Sequence, residues 1–325
     1  MTTTEIVDVT DPDDVAPAEV TKKDLEGSKK SRAGKLAPYL LILPAIAIIL
    51  LALGYPIFWQ LKTSMQHFGL AQQFGQPAEW VWFENYITLF SDSYMWAVVA
   101  RSIAFCLIVA SLTMIVGVLI ALLMKAAPNG IRLFISIALL LAWAMPVVAA
   151  MTIWTWLFDW HRGVINYILV SLGFDQFSSH NWLATPLSFF LVAGIIVLWM
   201  SVPFVAFSVY AGLTQISDEV LEASALDGAT PSQQLRLIIM PMIKPVLGIV
   251  FLLQIIWDLR VFTQIKLLQD QGSIASETNL LGTYIYQLGV GRGDFAMASA
   301  VSVFVLVLTI VLSWAYVRNL MKEDD

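Results

Sequence analysis

The polar residues of this sequence that could do chemistry are those set inside long apolar runs. The fullest example is Gln254-Ile-Ile-Trp257-Asp258-Leu-Arg260, within a run over about 237–260. On a helix, Gln254, Trp257, Asp258 and Val261 fall on one face. A Trp beside an amide and a carboxylate suits a sugar: the indole covers the apolar face of the ring, and the polar pair takes its hydroxyls. Asp258 and Arg260 are equally placed to reach a membrane interface or to pair with another subunit. Elsewhere the chemistry is thin. Gly289, Gly291 and Gly293 imitate a nucleotide-binding turn, but no strand precedes them. His67, His161 and His180 are isolated and lack metal-ligand spacing. No Ser-His-Asp set or carboxylate pair is present, and no Gly-x-x-x-x-Gly-Lys-Ser/Thr phosphate loop. The single cysteine, Cys106, lies in an apolar run and reads as a small buried hydrophobe. The chain is therefore expected not to be an enzyme, and to bind no metal or cofactor itself.

These residues must be carried by elements that live in lipid. Of 325 residues, 58% are apolar and 13% charged, against roughly 45–50% and 25% in soluble domains. Twelve Trp and eighteen Phe fit the aromatic belts of membrane interfaces. A helix needs about 20 apolar residues to cross the hydrocarbon layer. Six runs qualify, at about 36–62, 95–125, 132–158, 186–213, 237–260 and 295–318. They are too long and too uniformly apolar for strands. The fold class expected is an all-α integral membrane protein of six transmembrane helices. Trp80, Trp82, Trp160 and Trp182 fall in the connections and read as interfacial anchors; Trp199, near Pro203, reads as a gap filler beside a kink.

The first 26 residues hold eight of the 24 acidic ones and read as disordered. A basic cluster overlaps and follows them: Lys22, Lys23, Lys29, Lys30, Arg32 and Lys35. No secretory signal is expected, because the first apolar run is too long and no cleavage site follows it. With the N-terminus in the cytoplasm, the inner segments also hold Lys125, Arg132, Arg236, Lys244, Arg318 and Lys322, and the outer loops only Arg162, Lys266 and Arg292. That asymmetry places both termini in the cytoplasm. The expected organisation is a disordered acidic then basic tail over 1–35, a membrane domain over 36–320, and a short cytoplasmic tail over 321–325. The basic residues form no stripe, and no nucleic-acid partner is expected.

One inner segment differs from the rest. Residues 214–236 are polar but helix-forming. Ser217 is a good N-cap, and Asp218 and Glu219 suit a first turn. Leu221, Ala225 and Leu226 are expected to form an apolar edge. Gly228 stops or bends the helix, and Thr230-Pro231 starts a second. A helix–Gly–helix element beneath a membrane suits docking into a partner's groove.

Residues 222–241, EASALDGATPSQQLRLIIMP, resemble the cytoplasmic signature loop of binding-protein-dependent ABC importers: Glu-Ala-Ala, three residues, Gly, nine residues, Ile, one residue, Leu-Pro. Glu222, Ala223, Gly228, Ile238 and Pro241 match, Ser224 replaces the second Ala, and Met240 replaces Leu. Ala225-Leu-Asp227-Gly-Ala229 resembles the carbohydrate branch. Further resemblance to sugar permeases lies in Trp82-Phe83-Glu84-Asn85-Tyr86, in Leu157-Phe158 with Gly163, Ile165 and Asn166, in Trp199 with Pro203-Phe204 and Ala211-Gly212-Leu213, and in Ala298–Val303. It extends from about residue 36 to 320. The chain lacks the two extra N-terminal spans of the maltose-type relative.

The resemblance implies a permease subunit of a sugar or oligosaccharide importer in a bacterial or archaeal plasma membrane. Its partners would be a second permease subunit forming a heterodimer, two ABC ATPase subunits and an extracytoplasmic solute-binding protein, all around the lipid bilayer. ATP and Mg would sit on the ATPase. The coupling loop, about 214–240 between the fourth and fifth spans, would act as a lever through Glu222, Ala223, Ser224, Asp227, Gly228 and Pro241. Gln254, Trp257 and Asp258, with Met200, Ser201 and Phe204 on the fourth span, fall where the maltose-type relative has solute contacts. Val197 and Val261 are apolar where that relative is polar. The alternatives are a self-contained channel or secondary transporter, which predicts internal repeats and buried charges on several spans, and an importer of a glycerophosphodiester or other polyol-like solute.

Overall fold

The computed structural model describes residues 32–323. Most of the tail expected over 1–35 lies outside the described residues, as do the last two residues of the tail expected over 321–325. The chain falls into two units, one ending at Phe58 and one running from Trp59. The first holds α1 (Arg32–Ile49), a π-helical turn at Leu50–Gly54, and the start of α2 (Tyr55–Ser64). In the second, α2 ends in a small hairpin of β1 (Gln66–His67) and β2 (Glu79–Trp80), paired antiparallel. Then come α3 (Glu84–Ser91), α4 (Ser93–Ala126), α5 (Asn129–Ala144), α6 (Val147–Leu157), α7 (Val164–Ser171) and α8 (Pro186–Thr214). After α9 (Asp218–Leu226) follow α10 (Met240–Leu259), α11 (Thr263–Gln269), α12 (Leu281–Tyr286) and α13 (Phe295–Glu323).

Among the described residues, five helical stretches are long and apolar enough to cross a bilayer: Leu41–Ser64, α4, α8, Pro231–Gln269 and Phe295–Trp314. A sixth span exists if α5 and α6 are counted together, but they bend by 101°. The third span expected over 132–158 is thus bent in its middle. The cause is Pro146, which has no N–H to give to the ladder and whose ring forces the preceding residue out of the α region. Met145 accordingly has ψ 126°, and α6 restarts with Pro146 as its N-cap.

The centre of the second unit is the pairing of α4 with α8. Lipid supplies no hydrophobic drive between helices, so they hold by close packing of small residues. Gly117 on α4 is the closest point: a Cβ there would lie 2.4 Å from Val205 Cγ1 on α8. Three apolar clusters surround this axis. One joins Phe105, Met151, Phe189, Ile196 and Ile265; a second joins Leu89, Val98, Leu281, Tyr284 and Val301; a third joins Ala121, Val209, Leu213 and Ile243.

The resembling motifs have local physical reasons. The buried Asn85 donates through Nδ2 to the carbonyls of Ser64 (2.9 Å) and Gln66 (3.0 Å), and the Tyr86 hydroxyl lies 2.7 Å from Ser64 Oγ. The Trp82–Tyr86 stretch therefore staples the end of α2 to α3. Gly163 is needed because a Cβ would sit 2.2 Å from the Asp159 carbonyl oxygen. Asn166, also buried, donates to His180 O (2.9 Å) and accepts from Trp182 Nε1 (2.6 Å). Asn85→Ala leaves two carbonyls without their donor and is expected to cost about 2–4 kcal/mol. Thermal unfolding in detergent, alongside a surface control such as the exposed Gln73→Ala, checks this.

Candidate functional site

The polar segment after α8 forms the helix–Gly–helix element that its sequence predicts. α9 begins at Asp218 after Ser217, which has extended backbone (ψ 143°) but makes no side-chain capping bond. Asp218 and Glu219 occupy the first turn, where acidic groups favour the helix dipole. The helix closes on Gly228 at φ +86°, the left-handed conformation glycine adopts most cheaply. No atom lies within 4 Å of where its Cβ would be, so backbone conformation rather than crowding calls for glycine. Thr230 then caps the single turn Pro231–Gln233: Gln233 Oε1 accepts from Thr230 N at 2.8 Å, and Pro231 takes the first turn. A π-helical stretch, Gln234–Ile239, leads into α10, where Pro241 occupies the first turn.

A brace that the sequence does not reveal fixes this element. Gln234 Nε2 donates to Leu221 O (3.0 Å) and to Ser224 Oγ (2.9 Å), and Ser224 Oγ donates back to Leu221 O (2.7 Å). Ser224, the departure from the Glu-Ala-Ala pattern, is buried and ties α9 to the start of the next span. Glu222, Ala223, Asp227, Gly228 and Pro241 are all exposed. The apolar edge expected from Leu221, Ala225 and Leu226 splits in two. Leu221 packs on the third cluster, while Ala225 is exposed and Leu226 is 89% exposed. The reason is rotation: Ala225 and Leu226, at 40° and 140° from Leu221, lie beyond the stripe that the brace turns inward.

Cations expected on the α9 side gather there. Lys125 Nζ donates to Leu213 O (3.0 Å), at the end of α8. Arg132 donates to Met124 O (2.9 Å) and Ala127 O (3.0 Å), with its guanidinium 5.9 Å from the Tyr210 ring.

α8 and α10 do meet through residues that the sequence singled out. The rings of Phe204 and Trp257 lie 4.8 Å apart, edge to face at 62°. Met200 is partly buried and its Sδ lies 3.6 Å from Gln264 Nε2 on α11; Ser201 is half-buried beside it in sequence. The single face expected of α10, however, is divided. Trp257 is 47% exposed, whereas Gln254 and Asp258 are 0% and 3% exposed. Gln254 Nε2 donates to Asp258 Oδ1 at 3.1 Å. Gln254 Oε1 and Asp258 Oδ2 are buried without a hydrogen-bond partner. Val197 and Val261 both sit in the first cluster. Gln234 and Gln264 are the residues that sequence reading missed, because both act across long sequence separations. Among the described residues no cluster of His, Cys, Asp and Glu could hold a metal.

The chain matches known proteins along most of its length. The model of a family described as the binding-protein-dependent transport system inner membrane component matches residues 113–319. The diacetylchitobiose uptake system permease protein DasB of Streptomyces coelicolor is 38% identical, over 95% of this chain and 96% of that protein. The trehalose/maltose transport system permease protein MalF of Thermococcus litoralis is 30% identical, over 91% and 97%. A chain in the crystal structure of a bacterial alginate ABC transporter, in complex with an alginate pentasaccharide-bound periplasmic protein, superposes with a TM-score of 0.74. At 22% identity over 88% of this chain and 94% of that one, the likeness is one of fold.

Proposed function

Because this chain belongs to the family of binding-protein-dependent transport system inner membrane components, we propose that it forms half of a sugar translocation pathway and is driven through α9 by a separate ATPase. The chain is a non-catalytic, multi-pass permease subunit of the sugar-uptake kind. The observation that carries the coupling reading is the exposed, braced α9 element. Glu222 and Asp227 stand on the outside of a short helix that ends in left-handed Gly228. The Gln234–Ser224 brace ties that helix to the root of α10. A push on α9 is thereby delivered to the helix that bears Gln254, Trp257 and Asp258. Glu222 sets the helix's orientation in the ATPase groove, and the missing side chain at Gly228 lets two backbones approach. ATP and Mg belong to that ATPase; this sequence has no phosphate-binding loop.

The α9 end lies in the cytoplasm, with both termini, as the Lys and Arg asymmetry implies. A second, different permease subunit completes the pathway opposite the open Trp257–Phe204 pair. An extracytoplasmic binding protein delivers the solute. The 38% identical relative makes an N-acetylated disaccharide of the diacetylchitobiose kind the first solute to try.

The test is transport by proteoliposomes holding the whole assembly. Labelled diacetylchitobiose should accumulate against its gradient only with ATP on the α9 side and binding protein on the other. Trp257→Ala should raise the half-saturating concentration of sugar-loaded binding protein or lower the uptake rate, by about tenfold, the equivalent of about 1.4 kcal/mol of lost ring contact. Equilibration without ATP would establish a channel instead, and accumulation of only a glycerophosphodiester would change the solute class.

A further inference from the structure

A second feature lies a quarter-turn around α8 from the pathway residues. Between α4 and α8 runs a cavity of about 370 Å³ lined by Phe105, Ile108, Leu112, Phe190, Leu191 and Ile195. At one end stands a single charged residue, Arg101. From Arg101 to Leu112 the groove follows eleven residues of α4, about 16 Å at 1.5 Å per residue. That is close to half the roughly 30 Å hydrocarbon layer, the depth of one leaflet. The Arg101 end is the end of α4 away from α9.

Arg101 is a charge on a membrane span, where charges are costly and ordinarily find a counter-charge. Its Nε donates to Ala97 O (3.3 Å), and both Nη atoms donate to Ser276 O (3.2 Å each). The guanidinium also lies 5.7 Å from the Tyr94 ring. Every hydrogen-bond partner is a neutral carbonyl. Three of the five N–H groups of an arginine are used, and two remain. Among the described residues no carboxylate lies within ion-pair distance of it. The side chain reaches back along α4 to Ala97 O, toward the start of the helix, which sets the positive charge at the mouth of an apolar slot.

We propose that this groove binds one anionic phospholipid of the leaflet opposite α9, an acyl chain lying between α4 and α8 and the phosphate pairing with Arg101. Gly194 keeps the slot open: it lines the cavity, and a Cβ there would meet only Val109 Cγ2 at 3.6 Å, ordinary contact. A Cβ at 194 is therefore tolerated by the fold, and a longer side chain grown from it occupies the groove that Gly194 lines. The leaflet assignment rests on the membrane reading above, whereas the lipid itself is read out independently of sugar.

The experiment uses the whole transporter. Wild type, Arg101→Gln and Gly194→Leu are purified from membranes containing phosphatidylglycerol, and retained lipids are counted by native mass spectrometry. Melting is compared in nanodiscs of phosphatidylcholine with and without phosphatidylglycerol. Wild type should retain one more phosphatidylglycerol than either variant and melt higher when it is present. Arg101→Gln should lose the preference for the anionic lipid at least tenfold while still admitting an acyl chain, and Gly194→Leu should lose both. Equal lipid retention and equal melting response in all three would overturn the proposal. So would release of the partner permease by Arg101→Gln with lipid counts unchanged, which would mean that a protein carboxylate covers the groove.

Discussion

Valine at position 228 should abolish binding-protein-stimulated ATP hydrolysis and transport, by well over tenfold, while the chain still folds and assembles in the membrane. Gly228 has φ +86°, a region that costs an L-residue about 1–2 kcal/mol and a β-branched one more. The helix end would relax to another conformation, shifting Glu222 and Asp227 relative to the Gln234 brace. Asparagine separates conformation from contact, since it tolerates the left-handed region and nothing in this chain lies within 4 Å of the new Cβ. If Gly228 served only to turn the chain, Gly228→Asn would keep most of the activity. The docking reading predicts that it loses stimulation nearly as fully as Gly228→Val, because added volume keeps the ATPase backbone away. ATPase and uptake assays on both variants, with melting as a control for folding, decide between the two.

The largest effect on stability should come from Gly117. A Cβ there would stand 2.4 Å from Val205 Cγ1 and 2.6 Å from its Cβ, with the backbone nitrogen of Ala206 at 3.3 Å. The clash is with the root of a β-branched side chain and with backbone, neither of which swings aside. Gly117→Val must push α4 from α8, and overpacking of this kind costs roughly 3 kcal/mol. All three apolar clusters draw residues from both helices or from one of them, so the separation is felt throughout. The expected result is loss of assembled transporter and a much lower melting temperature for what remains. Val205→Ala removes the 2.4 Å contact but leaves its Cβ at 2.6 Å, so it should recover part of the loss in a Gly117→Ala background, which a double-mutant cycle reads as a favourable coupling. Independent effects at the two sites would contradict the close crossing.

Much of this architecture was legible because lipid imposes simple rules. Long apolar runs became helices, and the polar break at 214–236 became a short helix and turn whose Gly228 and Thr230-Pro231 punctuation appears as written. The break at Met145-Pro146 was also legible in principle, since a proline in mid-run disfavours α conformation at the residue before it. What periodicity alone left open was rotation. Taking Gln254 as zero, Trp257 and Asp258 lie at −60° and +40°, so all three occupy one broad face. Only packing decides that its centre is buried and its Trp edge exposed. The same holds for Leu221 against Ala225 and Leu226. Gln234–Ser224 and Arg101–Ser276 join residues 10 and 175 positions apart, and no local pattern announces such contacts. The Asn85 staple shows the opposite case, a motif recognised by resemblance whose reason became plain once Ser64 and Gln66 were seen beside it.

The central claim is that this chain imports sugar by receiving force through α9. Its most direct test is ATP hydrolysis by the purified assembly in nanodiscs, with binding protein, over a panel of sugars, comparing wild type with Glu222→Ala. One sugar should stimulate hydrolysis in the wild type, and Glu222→Ala should remove that stimulation while leaving basal hydrolysis and subunit composition intact. Copurification of no ATPase with this chain, or full stimulation in the variant, would contradict the account.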